Sequence, residues 1–329
     1  MIDKMARGIA KHPKTVLIVC LILLIPSIIC YLNTFVNYDI LSYLPEDLNS
    51  VQGEHILDKT FNNAASAIVV IENEDQKTAV KLKEEISEID GVSNVMWVDD
   101  VADISIPEDM LPDDLKNVFY SKDGNATLMM VQFTQGGASE STMDAIKSIR
   151  KCMNKNMFMS GVSTIMYDTK ALADAQAPLY VVIAIALALI VLMFTLKSYV
   201  LPFVLLMALC TAVVYNMGTN IFFGQISYIT QCIAAILQLG VTMDYSVFLM
   251  DRYEEECKYN DDRTMAMASA ISSTFVSLAG SSLTTVFGFL ALCFMSFKLG
   301  LDIGLVMAKG VLLGVITVVT FLPALIHFA

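Results

Sequence analysis

The sequence predicts a bundle of six membrane-spanning helices that carries one mixed α/β domain outside the membrane. Two observations lead to this fold class. Of the 329 residues, 56% are hydrophobic and only 16% are charged, whereas a soluble domain is nearer one quarter charged. Six apolar runs, each long enough to cross a bilayer, are interrupted by a single large polar segment.

The apolar runs define the domain boundaries. Residues 1–32 hold a basic N-terminal segment and the first span, residues 33–177 form the polar domain, and residues 178–329 hold the other five spans. The fifth run is too long for one straight span, so we expect its first residues to extend into the cytoplasm. The runs are residues 15–32, 178–196, 199–218, 226–250, 267–297 and 302–328.

Lysine and arginine in the short segments predict the orientation. With the N-terminus inside, only Lys298 lies in an outer short loop, and the polar domain lies outside a cytoplasmic (plasma) membrane. The inner segments then hold Lys4, Arg7, Lys11, Lys14, Lys197, Arg252, Lys258 and Arg263.

Residues 33–177 account for the net charge of −12, because they hold 24 Asp and Glu against 11 Lys and Arg. Within this segment, residues 65–72, 92–98, 126–134 and 156–160 read as strands, and residues 75–89 and 140–153 have helical spacing. Residues 107–120 read as loop or short helix, and residues 161–177 as a helix leading into the second span. The order β-α-β-β-α-β is that of a ferredoxin-like α+β domain.

Several classes of function lack support in the sequence. The acidity argues against a nucleic-acid partner. The seven cysteines are scattered, with no Cys/His spacing for a metal, and no nucleotide-binding or hydrolase motif occurs. We therefore expect no enzyme activity, no metal and no cofactor.

Asp244 and Tyr245 are the strongest functional signal, because an acid inside a spanning helix costs several kcal/mol and usually lines a polar path. Burial penalises the charged carboxylate, so Asp244 could bind and release protons, with Tyr245 as a hydrogen-bonding neighbour. The alternative is that Asp244 sits at the inner interface and pairs with Arg252.

Two stripes of polar or small residues predict a shared polar interior around Asp244, although packing alone also explains them. In the fourth span the stripe holds Gln231, Gln238, Thr242 and Tyr245. In the fifth span the stripe holds Ser269, Ser273, Ser277, Ser281 and Thr284.

Lys309 is a second intramembrane charge. It either pairs with Asp302, snorkels outward, or acts beside Asp244.

Four segments resemble the MMPL branch of the RND transporter superfamily. They are GVTMDYSVFLMDRYEEE at 240–256, NYDILSYLP at 37–45, AGSSLTTVFGFLAL at 279–292 and the final segment 304–326, which ends in FLPALI. The resemblance implies export of lipids or other hydrophobic molecules driven by the proton-motive force, with Asp244 and Tyr245 as the proton relay. It also implies that the outer domain is a porter domain and that the chain is one half of a twelve-span repeat.

A half-repeat implies a partner. The chain would dimerise or pair with a separate second half, and its other partners would be protons, membrane lipids and a hydrophobic substrate. The alternatives are an accessory subunit of protein export that resembles SecD/SecF, and a non-transporting lipid receptor with a sterol-sensing type of helix bundle.

Overall fold

The computed structural model describes residues 2–61, 65–103, 110–196 and 198–328. The chain divides into two compact units. The first joins Met1–Asn37 to Ala173–Ala329, and the second is Tyr38–Leu172. The boundaries predicted from the sequence are residues 33 and 177.

The helices are α1 (Ile2–Lys11), α2 (Pro13–Leu32), α3 (Asn49–Phe61), α4 (Gln76–Ser87), α5 (Asp113–Phe119), α6 (Glu140–Cys152), α7 (Val162–Thr195), α8 (Leu201–Gly218), α9 (Tyr228–Glu256), α10 (Arg263–Ala291) and α11 (Lys298–Ile326). The strands are β1 (Phe35–Asn37), β2 (Ser66–Glu72), β3 (Val92–Met96), β4 (Ala126–Phe133), β5 (Met157–Ser160) and β6 (Gln225–Ser227).

Within the described ranges, six helices, α2 and α7 to α11, are long and apolar enough to cross a membrane. This confirms the six spans predicted from hydropathy. Two boundaries differ from the prediction. Helix α7 begins at Val162 and runs without a break through Pro178, so the predicted lead-in helix and the second span are one element. Helix α10 already begins at Arg263, four residues before the apolar run.

Helix α11 is the most buried of the six and packs against α8, α9 and α10. Small residues along α11 make this possible. A Cβ added at Gly310 would lie 2.5 Å from Asn216 Nδ2 of α8 and 3.1 Å from Gln238 Oε1 of α9. The missing side chain therefore leaves room for the amide side chains of α8 and α9 to reach the backbone of α11, and small residues allow such close packing in membrane bundles.

The ends of α2 and α9 are joined by a short parallel pair, β1 and β6, which the sequence did not predict. Phe35 pairs with Gln225 and Asn37 with Ser227. Three-residue strands carry too little alternation to be read from sequence.

In the second unit, the elements β2, α4, β3, β4, α6 and β5 follow one another, with the short α5 between β3 and β4. The sheet order is β3-β4-β2-β5, and all neighbouring strands are antiparallel. Helices α4 and α6 bury Leu82, Ile86, Ile146 and Ile149 in the same core as the strands. Helix α3 was missed, and part of the predicted segment 107–120 lies outside the described residues.

The only tryptophan of the chain lies in the core of this unit. Trp97 is 1% exposed, and its Nε1 donates to Thr127 Oγ1 at 2.8 Å. The Trp97 backbone N–H donates to Asp100 Oδ2, which also accepts a hydrogen bond from Lys83 Nζ, each at 2.8 Å. Trp97 can therefore report the folding of the second unit alone.

Candidate functional site

Asp244 and Tyr245 point in different directions from α9. Tyr245 is 7% exposed and packs in the core of the bundle, whereas the Asp244 side chain is exposed on the surface of the unit. Successive helical residues are rotated by about 100°, so neighbours in sequence face different surroundings. The acid therefore faces out of the bundle, and the phenol faces into it.

The Asp244 carboxylate has neither a hydrogen bond nor an ion pair with any described residue. The alternative in which it pairs with Arg252 is wrong. The Arg252 guanidinium instead pairs with Glu255, lies 3.7 Å from Glu256 Oε1 and donates to Ser273 Oγ at 3.1 Å. Asp244 is therefore an acid on an apolar helix of spanning length, without a partner among the residues that the structure describes.

The predicted hydroxyl stripe of α10 is also exposed. Ser281 Oγ and Thr284 Oγ1 donate to carbonyls of their own helix, Leu278 O and Gly280 O, both at 3.2 Å. Ser277 is exposed as well, and a Cβ added at Gly280 would meet no atom within 4 Å. This side of α10 is therefore polar, small and open.

A set of exposed residues from α9 and α10 forms one surface. Phe248 and Ser277 line a common cavity of about 350 Å³. The two helices pack side by side and run antiparallel. Asp244 precedes Phe248 by four residues and Ser281 follows Ser277 by four, so Asp244 and Ser281 lie at the same level, one turn away from that cavity. We call this surface the open face; its members are Gly240, Asp244 and Phe248 of α9, and Ser277, Gly280, Ser281 and Thr284 of α10.

Gln238 and Thr242 lie elsewhere, in a buried network between α8, α9 and α11. Asn216 Nδ2 donates to Gln238 Oε1 at 2.9 Å, and Gln238 Nε2 donates to Gly310 O at 3.1 Å. Thr242 Oγ1 donates to Gln238 O at 2.7 Å. The prediction that the α9 and α10 stripes share one polar interior is therefore wrong, because one stripe faces α8 and α11 while the other is open.

Lys309 does not pair with Asp302. Its Nζ donates to Asn216 O at 3.0 Å and to Asn220 Oδ1 at 2.5 Å, and it lies 4.8 Å from the centre of the Phe223 ring. The last carbonyls of a helix favour a cation, and Asn216 lies in the last turn of α8. Among the described residues, no contact joins Lys309 to Asp244, so the predicted role of Lys309 beside Asp244 stays a prediction.

Asp302 instead holds the start of α9. Its Oδ2 accepts hydrogen bonds from the Ser227 backbone N–H at 2.8 Å and from Thr230 Oγ1 at 2.5 Å.

Asn216 and Asn220 were missed by sequence reasoning. Both are 0% exposed, and Asn216 Oδ1 is buried without a partner among the described residues. The signal was present, because Asn216 lies in the apolar run 199–218 and Asn220 lies two residues beyond its end, and buried amides at such positions have to be satisfied by other helices.

Comparison with known proteins places the chain in a family of membrane proteins. The family model for the MMPL family matches residues 42–329. The putative membrane protein MJ1562 of Methanocaldococcus jannaschii is 24% identical over 274 residues, which cover 76% of this chain and 70% of that protein.

Two relatives from Mycobacterium tuberculosis are named as transporters. The probable transport protein MmpL12 is 23% identical over 68% of this chain, and the siderophore exporter MmpL5 is 19% identical over 63% of it. These matches span only 20% and 23% of the two relatives. With its six apolar helices and a family match over most of its length, the chain is a multi-pass membrane protein and belongs to the MMPL family.

Proposed function

We propose that the chain is one half of a transporter that exports lipids or other amphiphilic molecules across the cytoplasmic membrane and is driven by protons. Asp244 accepts and releases the proton at the open face. Tyr245 is the second residue of the proposed relay by its adjacent position on α9, and its phenol faces into the bundle. The naming of MmpL5 as a siderophore exporter and of MmpL12 as a transport protein supports the class of function.

One observation carries the proposal, namely that Asp244 is exposed on a membrane-spanning helix and has no partner in the part of the chain that the structure describes. A carboxylate facing lipid is expensive, so this position is favourable only if another polar surface covers it. A side chain whose partner comes and goes with each proton fits a relay better than one locked in a permanent ion pair.

The open face is the surface where we expect the second half to bind. Its glycines and hydroxyls allow close approach of a further helix, and the hydroxyls can hydrogen-bond across the contact. Either a second copy of the chain or a separate second half could occupy it. Relatives several times longer than the matched region support the pairing of two such units.

The second unit is the porter domain in this proposal. Its β-α-β-β-α-β order and antiparallel sheet agree with a ferredoxin-like fold. The unit lies outside the cytoplasm and the N-terminus inside, as the distribution of lysine and arginine predicts. Its task is to accept and pass on the substrate.

Transfer of amphiphiles from reconstituted vesicles tests the function. Vesicles with the full chain and either a tail-labelled phospholipid or a labelled fatty acid are mixed with unlabelled acceptor vesicles. We expect an imposed pH gradient to speed transfer of at least one probe, and a protonophore to return the rate to that of protein-free vesicles. Transfer of both probes at the protein-free rate, with or without the gradient, contradicts the proposal.

A lipid receptor is the second candidate, favoured by a different observation. A cavity of about 480 Å³ lies between α7, α8 and α9, lined mainly by apolar side chains with Asp174 and Gln231 among them. Its size and composition suit one small apolar ligand. Saturable lipid binding without any gradient-dependent transfer would favour this reading over transport.

A further inference from the structure

A small polar cavity lies at the end of the bundle that carries α1. It has a volume of about 90 Å³ and is formed by the elbow between α1 and α2, the end of α9, the start of α10 and the end of α11. Its polar lining residues are Tyr253, Arg263, Thr264 and His327.

Arg263 is the free cation of this cavity. It is exposed and has neither a hydrogen bond nor an ion pair with any described residue, whereas Arg252 at the same end is held by Glu255 and Glu256. The neighbouring Asp262 is occupied, since its Oδ1 accepts the Thr264 N–H at 2.9 Å and caps α10. A free guanidinium at a helix N-terminus favours an anion.

Helix α1 adds positive charge beside the cavity. Ala6, Ile9 and Ala10 are buried, and α1 packs against α10 and α11. The opposite side is exposed and basic, with Lys4, Arg7 and Lys11 on α1 and Lys14 at the start of α2. An amphipathic helix of this kind lies at a membrane surface with its cations among anionic headgroups.

An apolar groove begins one helical turn away from the polar cavity, along α2 and α11. It has a volume of about 600 Å³ and runs between α2, α8 and α11. On α11, Thr320 lines the groove and Pro323, three residues later, lines the polar cavity. On α2, Val16 lines the groove and Pro13, three residues earlier, lines the polar cavity. Three residues of helix rise by about 5 Å, so the cavity and the groove are consecutive along the α2–α11 seam.

The groove is long enough for an acyl chain. Its α2 wall runs from Thr15 to Cys30, which is about 22 Å of helix. One leaflet contributes about 15 Å of hydrocarbon. The groove faces the space around the bundle, since Val19 and Leu23 in its wall are about half exposed.

We propose that this seam binds one anionic glycerophospholipid, with its phosphate against Arg263 and His327 and one acyl chain in the groove. A phospholipid joins a phosphate to an acyl chain, so one molecule accounts for the polar cavity with Arg263, for the apolar groove and for their spacing. Free phosphate accounts for the polar cavity alone. This site goes beyond the proposed transport and does not depend on Asp244.

Native mass spectrometry of the detergent-solubilised full chain tests the site. Phosphatidylglycerol and phosphatidylcholine with identical acyl chains are titrated separately, and the lipid-bound fraction is measured. We expect phosphatidylglycerol to be retained about fivefold better, and Arg263→Gln to remove that preference. The matched control is Lys258→Gln, which removes one charge from an exposed loop at the same end and should keep it.

Two further arms separate the lipid from other sources of binding. Val19→Trp fills the groove and should lower retention, whereas Ile22→Trp, on an exposed α2 position outside the groove, should not. Millimolar inorganic phosphate should leave the lipid bound.

Four results would overturn the proposal: equal retention of the two lipids, equal effects of the two charge variants, equal effects of the two tryptophan variants, or displacement by inorganic phosphate. Unchanged thermal unfolding of Arg263→Gln shows that it folds. If it does not, His327→Gln replaces it with the same expected loss.

Discussion

The side-chain amide of Asn216 on α8 donates a 2.9 Å hydrogen bond to Gln238 Oε1 on α9, in the buried centre of the bundle. Gln238 Nε2 in turn donates a hydrogen bond to Gly310 O of α11. Three helices are therefore joined by one polar network, and Lys309 borders it through Asn216 O.

The network should appear as coupling between Asn216 and Gln238. We expect Asn216→Leu and Gln238→Leu each to destabilise the bundle, and the double variant to lose less than the sum. Hydrogen bonds between membrane helices are worth about 0.5 to 1.5 kcal/mol, which sets the expected coupling. A double-mutant cycle of unfolding in mixed micelles measures it. Strictly additive losses would show that the bond contributes nothing.

Close packing at Gly310 should make this position intolerant of a side chain. A Cβ there would lie 2.5 Å from Asn216 Nδ2, so we expect Gly310→Ala to cost about 1 to 3 kcal/mol by overpacking. Gly8→Ala in α1 is the control, because no atom lies within 4 Å of its added Cβ. Thermal unfolding of both variants decides, and equal melting temperatures would argue against the close approach.

Lys309 should be structural. We expect Lys309→Met to destabilise the bundle by about 1 to 3 kcal/mol, because the buried Asn220 Oδ1 loses its donor. The exposed Lys258→Met should have almost no effect. Unfolding free energies of the two variants give the comparison, and a Lys309→Met protein as stable as the parent would contradict the assignment.

The second unit should lose stability in acid through Asp100. Burial raises the pKa of Asp100, but hydrogen bonds from Lys83 and from the Trp97 N–H outweigh it, so the pKa lies below its ordinary value. A lowered folded-state pKa gives stability that is present at neutral pH and is lost as pH falls through about 4 and below.

Trp97 fluorescence during denaturation at a series of pH values measures this loss. Asp100→Asn should flatten the acid dependence. Asp90→Asn, at an exposed carboxylate, should leave it unchanged. An acid dependence that survives Asp100→Asn in full would exclude this cause.

Hydropathy and periodicity predicted the six spans and the order of strands and helices in the second unit, because both depend on which residues avoid water. They could not predict which side of the bundle each polar stripe faces. The hydroxyls of α10 read as interior from sequence, yet Ser281 and Thr284 are exposed, since a polar stripe has the same spacing whether its partner helix belongs to the same chain or to another. Likewise, Lys309 bonds to the end of α8 and not to Asp302. This contact could not be predicted without knowing where α8 and α11 lie.

The central claim is that Asp244 carries protons, and proton flux through reconstituted vesicles tests it most directly. The full chain, Asp244→Asn and the control Asp251→Asn, an exposed acid two turns further along α9, are compared under an imposed pH gradient. We expect the parent and Asp251→Asn to dissipate the gradient at similar rates, and Asp244→Asn to fall to the rate of protein-free vesicles. Dissipation by Asp244→Asn at the parent rate would contradict the claim.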